Sequence, residues 1–446
     1  MMKKDIRYIT MSVALAAIAL AGCSHFQEED LFEESAALRI EHSAEKLQEI
    51  LVNAPEGWVI QYYTGRGVSV FEGFNLFARF ERGGKVTMAG NHRFLRDGNA
   101  GKYTEASSLY ELIREDGLVL AFNTWNDVLT PFVDPVAHWA APKDLVKDGA
   151  GMQGDQNLVV KLMTEDEILL RGERYDASIR MVKADRDWKT YISDTETMKN
   201  RITNTVINSY YLISGTDTMY CVGLRNGRYR VSERVNNPLK VDSLSCCFTP
   251  TGFRNEYTDT LGNHLFQEFK LNEEGTALLN EDLCVEVIAT WDNYIVNARS
   301  TTWNFDQENF SDVQKGLLEQ LNVELKKFNT NYSLAQVGLG RSTGNGAVKG
   351  LVVTFYTNAA KTKTNSAGLS LTTSSPAYGQ MQIVYGEDEK VDKNLSNISS
   401  KSDAESLVRQ FAATLSGTYK IVPDDYFLPT GCELHAVEGD NKYILK

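Results

Sequence analysis

The chain has 446 residues, 42% of them hydrophobic, and a formal net charge of −13 at pH 7 from 46 basic and 59 acidic residues. An acidic balance of this size argues against nucleic acid and anionic lipid headgroups as partners, and no Lys/Arg cluster with interleaved aromatics offsets it. The apolar fraction is that of ordinary packed domains, and the length predicts two or three of them.

Lys3, Lys4 and Arg7, diluted by Asp5, precede an apolar run over residues 11–20 that only Ser12 interrupts. The run has the length of a signal-peptide core. It falls short of the roughly 20 apolar residues that a spanning helix needs. It ends in Leu20-Ala21-Gly22-Cys23, which resembles the lipobox, where the cysteine thiol takes a diacylglyceryl group and becomes the new N-terminus. Residues 1–22 are therefore read as a lipoprotein signal peptide and Cys23 as the lipidation site. Two or more acyl chains hold a protein stably on a membrane, so the folded part is expected to meet the membrane through its anchor alone. Loss of residues 1–22 removes three positive charges and one negative, leaving 424 residues at −15. Residues 23–34 read as an acidic tether, with Glu28, Glu29, Asp30, Glu33 and Glu34 close together. Such a run is a solvated spacer, and it also resembles the surface-export signal of Bacteroidota lipoproteins.

Downstream, residues 35–208 read as an N-terminal α+β domain and 209–446 as a β-rich C-terminal α+β domain, with mostly antiparallel sheet throughout. Ile40, Ala44, Leu47, Leu51 and Ala54 form one apolar stripe, which predicts a helix over about residues 35–54 that Pro55-Glu56-Gly57 ends. Strands follow at 58–63, 74–80 and 85–88, separated by glycine turns. Ser108 and Glu111 form a capping-box pattern, predicting a short helix before a buried strand at 118–122. A meander is expected at 158–163, 167–171 and 178–182. Trp188, Tyr191, Ile192, Met198, Ile202 and Val206 then mark a longer helix.

Residues 218–296 are strand-rich. Beyond them, Ser311 and Gln314 cap a helix with stripe Val313, Leu317, Leu321, Leu325 and Phe328, and strands follow at 333–337 and 351–356. Ser402 and Glu405 cap another helix before a strand at 418–422. The order helix, hairpin, strand, capped helix, glycine, strand is shared by the two halves and is read as one duplicated module.

Five cysteines remain after Cys23: Cys221, Cys246, Cys247, Cys284 and Cys432. Adjacent Cys246 and Cys247 point to opposite faces of a strand. Either one pairs with Cys221 or Cys284 across a sheet, or most are small buried hydrophobes. No CxxC, HExxH, GxSxG, Walker or GxGxxG pattern is present, so neither a metal nor a cofactor is implied and no catalytic residue is named. Asp148 and Asp155 flank a glycine-rich loop without EF-hand spacing. Asp424-Asp425 and Glu165-Asp166-Glu167 read as solvated turn acids. The candidate ligand-binding segment runs from Trp125 to Trp139, with Asn126, Asp127 and His138 between the two rings. Flat aromatic faces flanked by amides and acids suit a glycan or a peptide. The competing reading puts both Trp side chains in the core.

Several stretches carry a family resemblance: Glu29-Asp30-Leu31-Phe32-Glu33-Glu34-Ser35-Ala36-Ala37, Ala54-Pro55-Glu56-Gly57-Trp58-Val59 with Tyr62-Tyr63, Phe122-Asn123-Thr124-Trp125-Asn126-Asp127-Val128-Leu129, Phe248-Thr249-Pro250-Thr251-Gly252 and Phe266-Gln267-Glu268-Phe269. They resemble an uncharacterised Bacteroidota lipoprotein family, a domain of unknown function. The resemblance implies an outer-membrane, surface-exposed lipoprotein that works beside SusC/SusD-type uptake systems, and it lends no catalytic residue. The expected function is that of an accessory ligand- or partner-binding protein. The alternatives are a secreted-type hydrolase with a carboxylate site and a structural or adhesive surface protein.

Overall fold

The computed structural model describes residues 35–65, 72–115, 117–135, 151–203, 209–224, 227–232, 241–289, 302–343 and 345–446. Helix α1 (Ala36–Val52) opens it, capped by the Ser35 hydroxyl, which accepts from the Leu38 N–H. Gly57, at φ 76°, turns the chain out of the helix. A Cβ there would meet the Ala78 carbonyl oxygen at 2.6 Å, so the break read at Pro55-Glu56-Gly57 is a steric necessity.

Eight antiparallel strands then form a closed barrel: β1 (Trp58–Tyr63), β2 (Phe74–Phe80), β3 (Lys85–Gly90), β4 (Thr104–Glu115), β5 (Gly117–Phe122), β6 (Asn157–Met163), β7 (Glu167–Gly172) and β8 (Ser178–Lys183). Each pairs with the next, and β1 closes on β8 through Trp58↔Lys183 to Tyr63↔Ser178. Trp58, Ile60 and Tyr62 alternate inward with Leu76, Ala78, Phe80, Leu120, Phe122, Ile168 and Met181. The interior is therefore a packed apolar core, the reverse of a transmembrane barrel, whose apolar band faces outward. Leu47 and Leu51 of α1 join that core at one end, where the Trp58 indole N–H donates to the Leu51 carbonyl. A four-residue helix, α2 (Thr130–Val133), brings Phe132 into the same core, and the Tyr62 hydroxyl holds the Asp155 backbone beside it.

The capping-box helix at Ser108 does not form. Residues 104–115 are β4, paired with β3 and β5. The period-two burial of Ser108 and Tyr110 between exposed Ser107, Leu109 and Glu111 fits a barrel wall, and a two-sided ladder outweighs one cap.

Helix α3 (Trp188–Ile202) packs Trp188 and Tyr191 on the outer face of the first barrel, against Val59, Phe77 and Ala89. Val206, placed on this helix from sequence, lies outside the described residues.

A second closed barrel of eight strands follows: β9 (Ser209–Ser214), β10 (Asp217–Val222), β11 (Arg228–Ser232), β12 (Val241–Thr249), β13 (Gly252–Leu261), β14 (His264–Leu271), β15 (Leu278–Asn280) and β16 (Glu286–Ala289). It closes β9 on β16. The class is α+β, dominated by antiparallel sheet, with two similar closed barrels and a few short helices, consistent with internal duplication. The repeat lies between these two barrels and not between the segments matched from sequence. Caps and glycine turns recur in any α+β chain, and the matched helix at Ser108 is a strand.

The remaining residues form two sheets under helices α4 (Asp312–Phe328), α5 (Lys393–Ser399) and α6 (Ala404–Thr414). One sheet orders β17 (Trp303–Asn304), β18 (Ser333–Arg341), β19 (Lys349–Tyr356) and β20 (Thr364–Ser370). The other orders β21 (Thr372–Ser374), β22 (Gln380–Val384), β23 (Gly417–Pro423), β24 (Cys432–Ala436) and β25 (Lys442–Leu445). Asn304 and Lys446 exchange backbone bonds of 3.0 and 2.9 Å, joining the two sheets. Ser311 and Gln314 make the full capping box read from sequence. At α6 the cap residue is Asp403, with no side-chain bond, while the Ser402 hydroxyl donates to the Ile398 carbonyl.

Candidate functional site

A cavity of about 770 Å³ forms an open groove between α4 and the start of β18. Of the stripe read on α4, Leu321 and Leu325 enter the core, joined by Leu318, while Leu317 and Phe328 are partly buried and Val313 is exposed, which leaves Lys315, Glu319, Asn322 and Lys326 along the groove. Tyr332 and Leu334 lie opposite them. Asn358, Ala359 and Lys361 from the β19–β20 turn close one end, and Gln307 and Glu308 close the other. The Tyr332 ring is held between Phe328 and Phe355, at centroid distances of 5.6 and 5.1 Å. Three polar groups are already committed. Asn322 Oδ1 accepts the Leu334 N–H at 2.8 Å, Asn358 Oδ1 accepts from Thr362 and Lys363, and Lys315 Nζ donates to the Glu308 carbonyl. Lys326 lines the groove, while its neighbour Lys327 pairs with Glu324. Amides, hydroxyls and ammonium groups around one aromatic face can bind a polar ligand by multiple hydrogen bonds.

A smaller cleft of about 260 Å³ lies where β2, α3 and β12 meet. Its charges satisfy one another: Glu72 takes Lys199 at 3.2 Å and Arg93 at 3.9 Å, and Asn91 donates to Glu196 at 2.8 Å. His92 is buried there and its pKa is lowered to about 4 by desolvation. Its Nδ1 accepts the Phe94 N–H at 3.3 Å, so Nε2 carries the proton and donates to the Val128 carbonyl at 2.8 Å.

Trp125 is 49% exposed at the rim of the first barrel. Its indole N–H donates to Asp127 at 2.6 Å, and the Arg96 guanidinium lies 5.4 Å from its ring centroid. Asn126 is 1% exposed. Its amide donates to Ser108 and Ala106, and its oxygen accepts from the Val128 and Leu129 N–H groups. It builds the turn and offers nothing to a ligand. His138, Trp139 and Cys23 lie outside the described residues. Asp155 is fully used as well, its carboxylate accepting backbone N–H bonds from Arg174, Tyr175 and Ala177. Asp148 lies outside the described residues. Asp424 and Asp425 cap their own turn, and Asp425 also pairs with Arg201.

All five downstream cysteines are free, four of them buried and Cys284 exposed. Cys246 faces the second barrel core, while Cys247 lies against Asn75 of the first barrel, as strand alternation requires. Burial pushes the Cys246 and Cys247 thiols up, which keeps them unreactive. Among the described residues no three His, Cys, Asp or Glu side chains gather as a metal cluster, and no helix is long and apolar enough to cross a membrane.

Sequence reasoning missed the groove. Its residues come from a 3-10 turn, a helix face, a strand start and a hairpin, spread over 307–361 without a local motif.

No curated protein matches the chain. Among solved structures, the beta subunits of DNA polymerase III from Borrelia burgdorferi (in complex with a natural product) and from Pseudomonas aeruginosa align at 10% and 9% identity over 92% and 91% of this chain and 96% of each of theirs. Their TM-scores are 0.11 and 0.12. The model of the domain of unknown function DUF4302 matches residues 28–273, a span that includes both barrels down to β14 and every stretch that carried the family resemblance. This chain belongs to the DUF4302 family, a domain of unknown function.

Proposed function

We propose that this protein is a lipid-anchored lipoprotein of the bacterial outer-membrane surface that binds a ligand or partner beside a SusC/SusD-type nutrient-uptake system. The binding half of this reading is carried by the α4–β18 groove. It is an open concavity of about 770 Å³ whose lining mixes amides, hydroxyls and lysines around Tyr332. The location half rests on Leu20-Ala21-Gly22-Cys23, the charged and apolar segments before it and the acidic tether after it. A glycan or a peptide is the ligand class that such a lining serves.

Two measurements test the halves separately. Metabolic labelling with an alkyne fatty acid should mark the protein and fail on Cys23→Ser, and protease added to whole cells should digest it. Labelling that survives Cys23→Ser removes the anchor, and complete protection in intact cells removes the surface placement. For binding, Tyr332→Ala should abolish the thermal shift that a glycan or peptide ligand produces. An unchanged shift would put the site elsewhere.

A further inference from the structure

The groove is a strand position left open. β17 is two residues long and pairs Trp303 with Leu339 and Asn304 with Gly338. The Phe305 N–H still reaches the Val337 carbonyl at 2.8 Å, but the next N–H, of Asp306, turns away to the Ile444 carbonyl. The chain then enters the turn Gln307–Asn309 and α4. β18 begins at Ser333, four residues before Val337, and its strand neighbours are β17 on one side and β19 on the other. Residues 333–336 therefore have β19 on one edge and no strand on the other, where Ser333 and Leu334 line the groove beside α4.

Exposed strand edges recruit another strand unless something covers them. Here the cover is one side chain, Asn322, whose Oδ1 takes the Leu334 N–H at 2.8 Å. Four strand residues span about 13 Å, and Lys315 to Lys326 covers about 16 Å along α4, so the two walls match in length.

The charge along this lane is specific. Lys315, Lys326 and Lys361 line it together with Glu308 and Glu319. None of the three lysines is ion-paired among the described residues, while neighbouring Lys327 pairs with Glu324. In a chain of net charge −13, a groove lined by three lysines against two glutamates favours an acidic occupant, which the rest of the surface repels.

We infer that the α4–β18 groove takes an extended acidic peptide of a partner protein, added as a strand beside residues 333–336, with Asn322 as the placeholder that yields the Leu334 N–H. This rests on the groove being the binding site. Main-chain pairing supplies affinity in such docking, and the flanking side chains supply selectivity.

The test selects displayed random short peptides on the detergent-solubilised full chain and measures recovered sequences by fluorescence anisotropy. Recovered peptides should be rich in Asp and Glu. Methylating alternate backbone nitrogens of a recovered peptide, which keeps its charge and removes ladder donors, should weaken it at least about tenfold. The Lys315→Glu/Lys326→Glu/Lys361→Glu variant should weaken it at least about tenfold, and Lys327→Glu should not. Lys326→Ala alone, a milder change for which the same direction is expected, serves if the triple variant does not fold. Asn322→Ala should leave affinity equal or higher, because it removes the competitor. Non-acidic sequences, equal binding of the methylated peptide, unaltered binding to the lysine variants, or no recovered peptide each overturn the inference. A glycan that binds and is lost in the triple variant, with no peptide bound, overturns the strand inference and keeps the groove. Binding of neither overturns both.

Discussion

The two barrels share strand number, connection order and closure of first strand on last, yet they are stabilised differently. The first is a closed unit. α1 seals one end and Phe132 fills the other, and its core cluster draws only on residues before Lys183. The core of the second runs without a break from Tyr210 and Phe269 through Trp303 and Leu321 to Tyr419 and Leu445. The same topology thus encloses a core of its own in one place and shares a larger core in the other. The difference teaches that the proposed binding groove, lying on α4, packs on the core of the second unit.

The sharpest way to break that comparison is a core deletion in each barrel. Trp58→Ala and Phe269→Ala remove fully buried rings and should each cost about 3–5 kcal/mol. Calorimetry should show two transitions, with Trp58→Ala lowering one and Phe269→Ala the other. Equal lowering of both by either variant would contradict separate cores.

Acid sharpens it next. His92 belongs to the first barrel, and its folded pKa of about 4 lies below the ordinary 6.5. The neutral ring is therefore the stabilised form. That stability is complete above pH 6.5 and is lost as pH falls toward 4, about 3 kcal/mol in all. Protonation also puts a hydrogen on Nδ1 facing the Phe94 N–H. Only the first transition should fall over this window, and His92→Phe should flatten its slope. A slope unchanged in that variant would sink the assignment.

The junction comes third. Glu268 of β14 sits 3.4 Å from Arg180 of β8, 4.0 Å from Arg254 and 3.5 Å from Lys270. Glu268→Gln should cost about 2 kcal/mol and widen the gap between the transitions, since the carboxylate bridges the barrels. An unchanged or narrower gap would mean that this carboxylate does not couple the barrels. The smallest effect belongs to Trp125→Ala. An exposed ring on a rim should change stability by less than about 0.5 kcal/mol and leave groove binding untouched, whereas lost binding would return the site to that loop.

Much of the fold was legible because burial is periodic. The α1 stripe through Leu47 and Leu51, the inward Phe74, Leu76, Ala78 and Phe80, and the Ser311–Gln314 box all lie where their spacing puts them. Barrel closure was not legible, since β1 meets β8 across more than 110 residues and no local signal encodes that pairing. Ser108 misled because a cap signal is local and its ladder is not. In the candidate segment, Trp125 and Asp127 were found at the surface, but Asn126 was spent on the turn. The groove stayed hidden because its chemistry assembles only when α4 crosses β18.

One measurement tests the central claim most directly: calorimetric unfolding of the full chain in detergent, with and without a bound glycan or peptide at 100 times its dissociation constant. The account predicts that the transition shared by the second barrel and the α4 unit gains about 2.7 kcal/mol while the first barrel's stays fixed. A ligand that raises the first transition instead would contradict it.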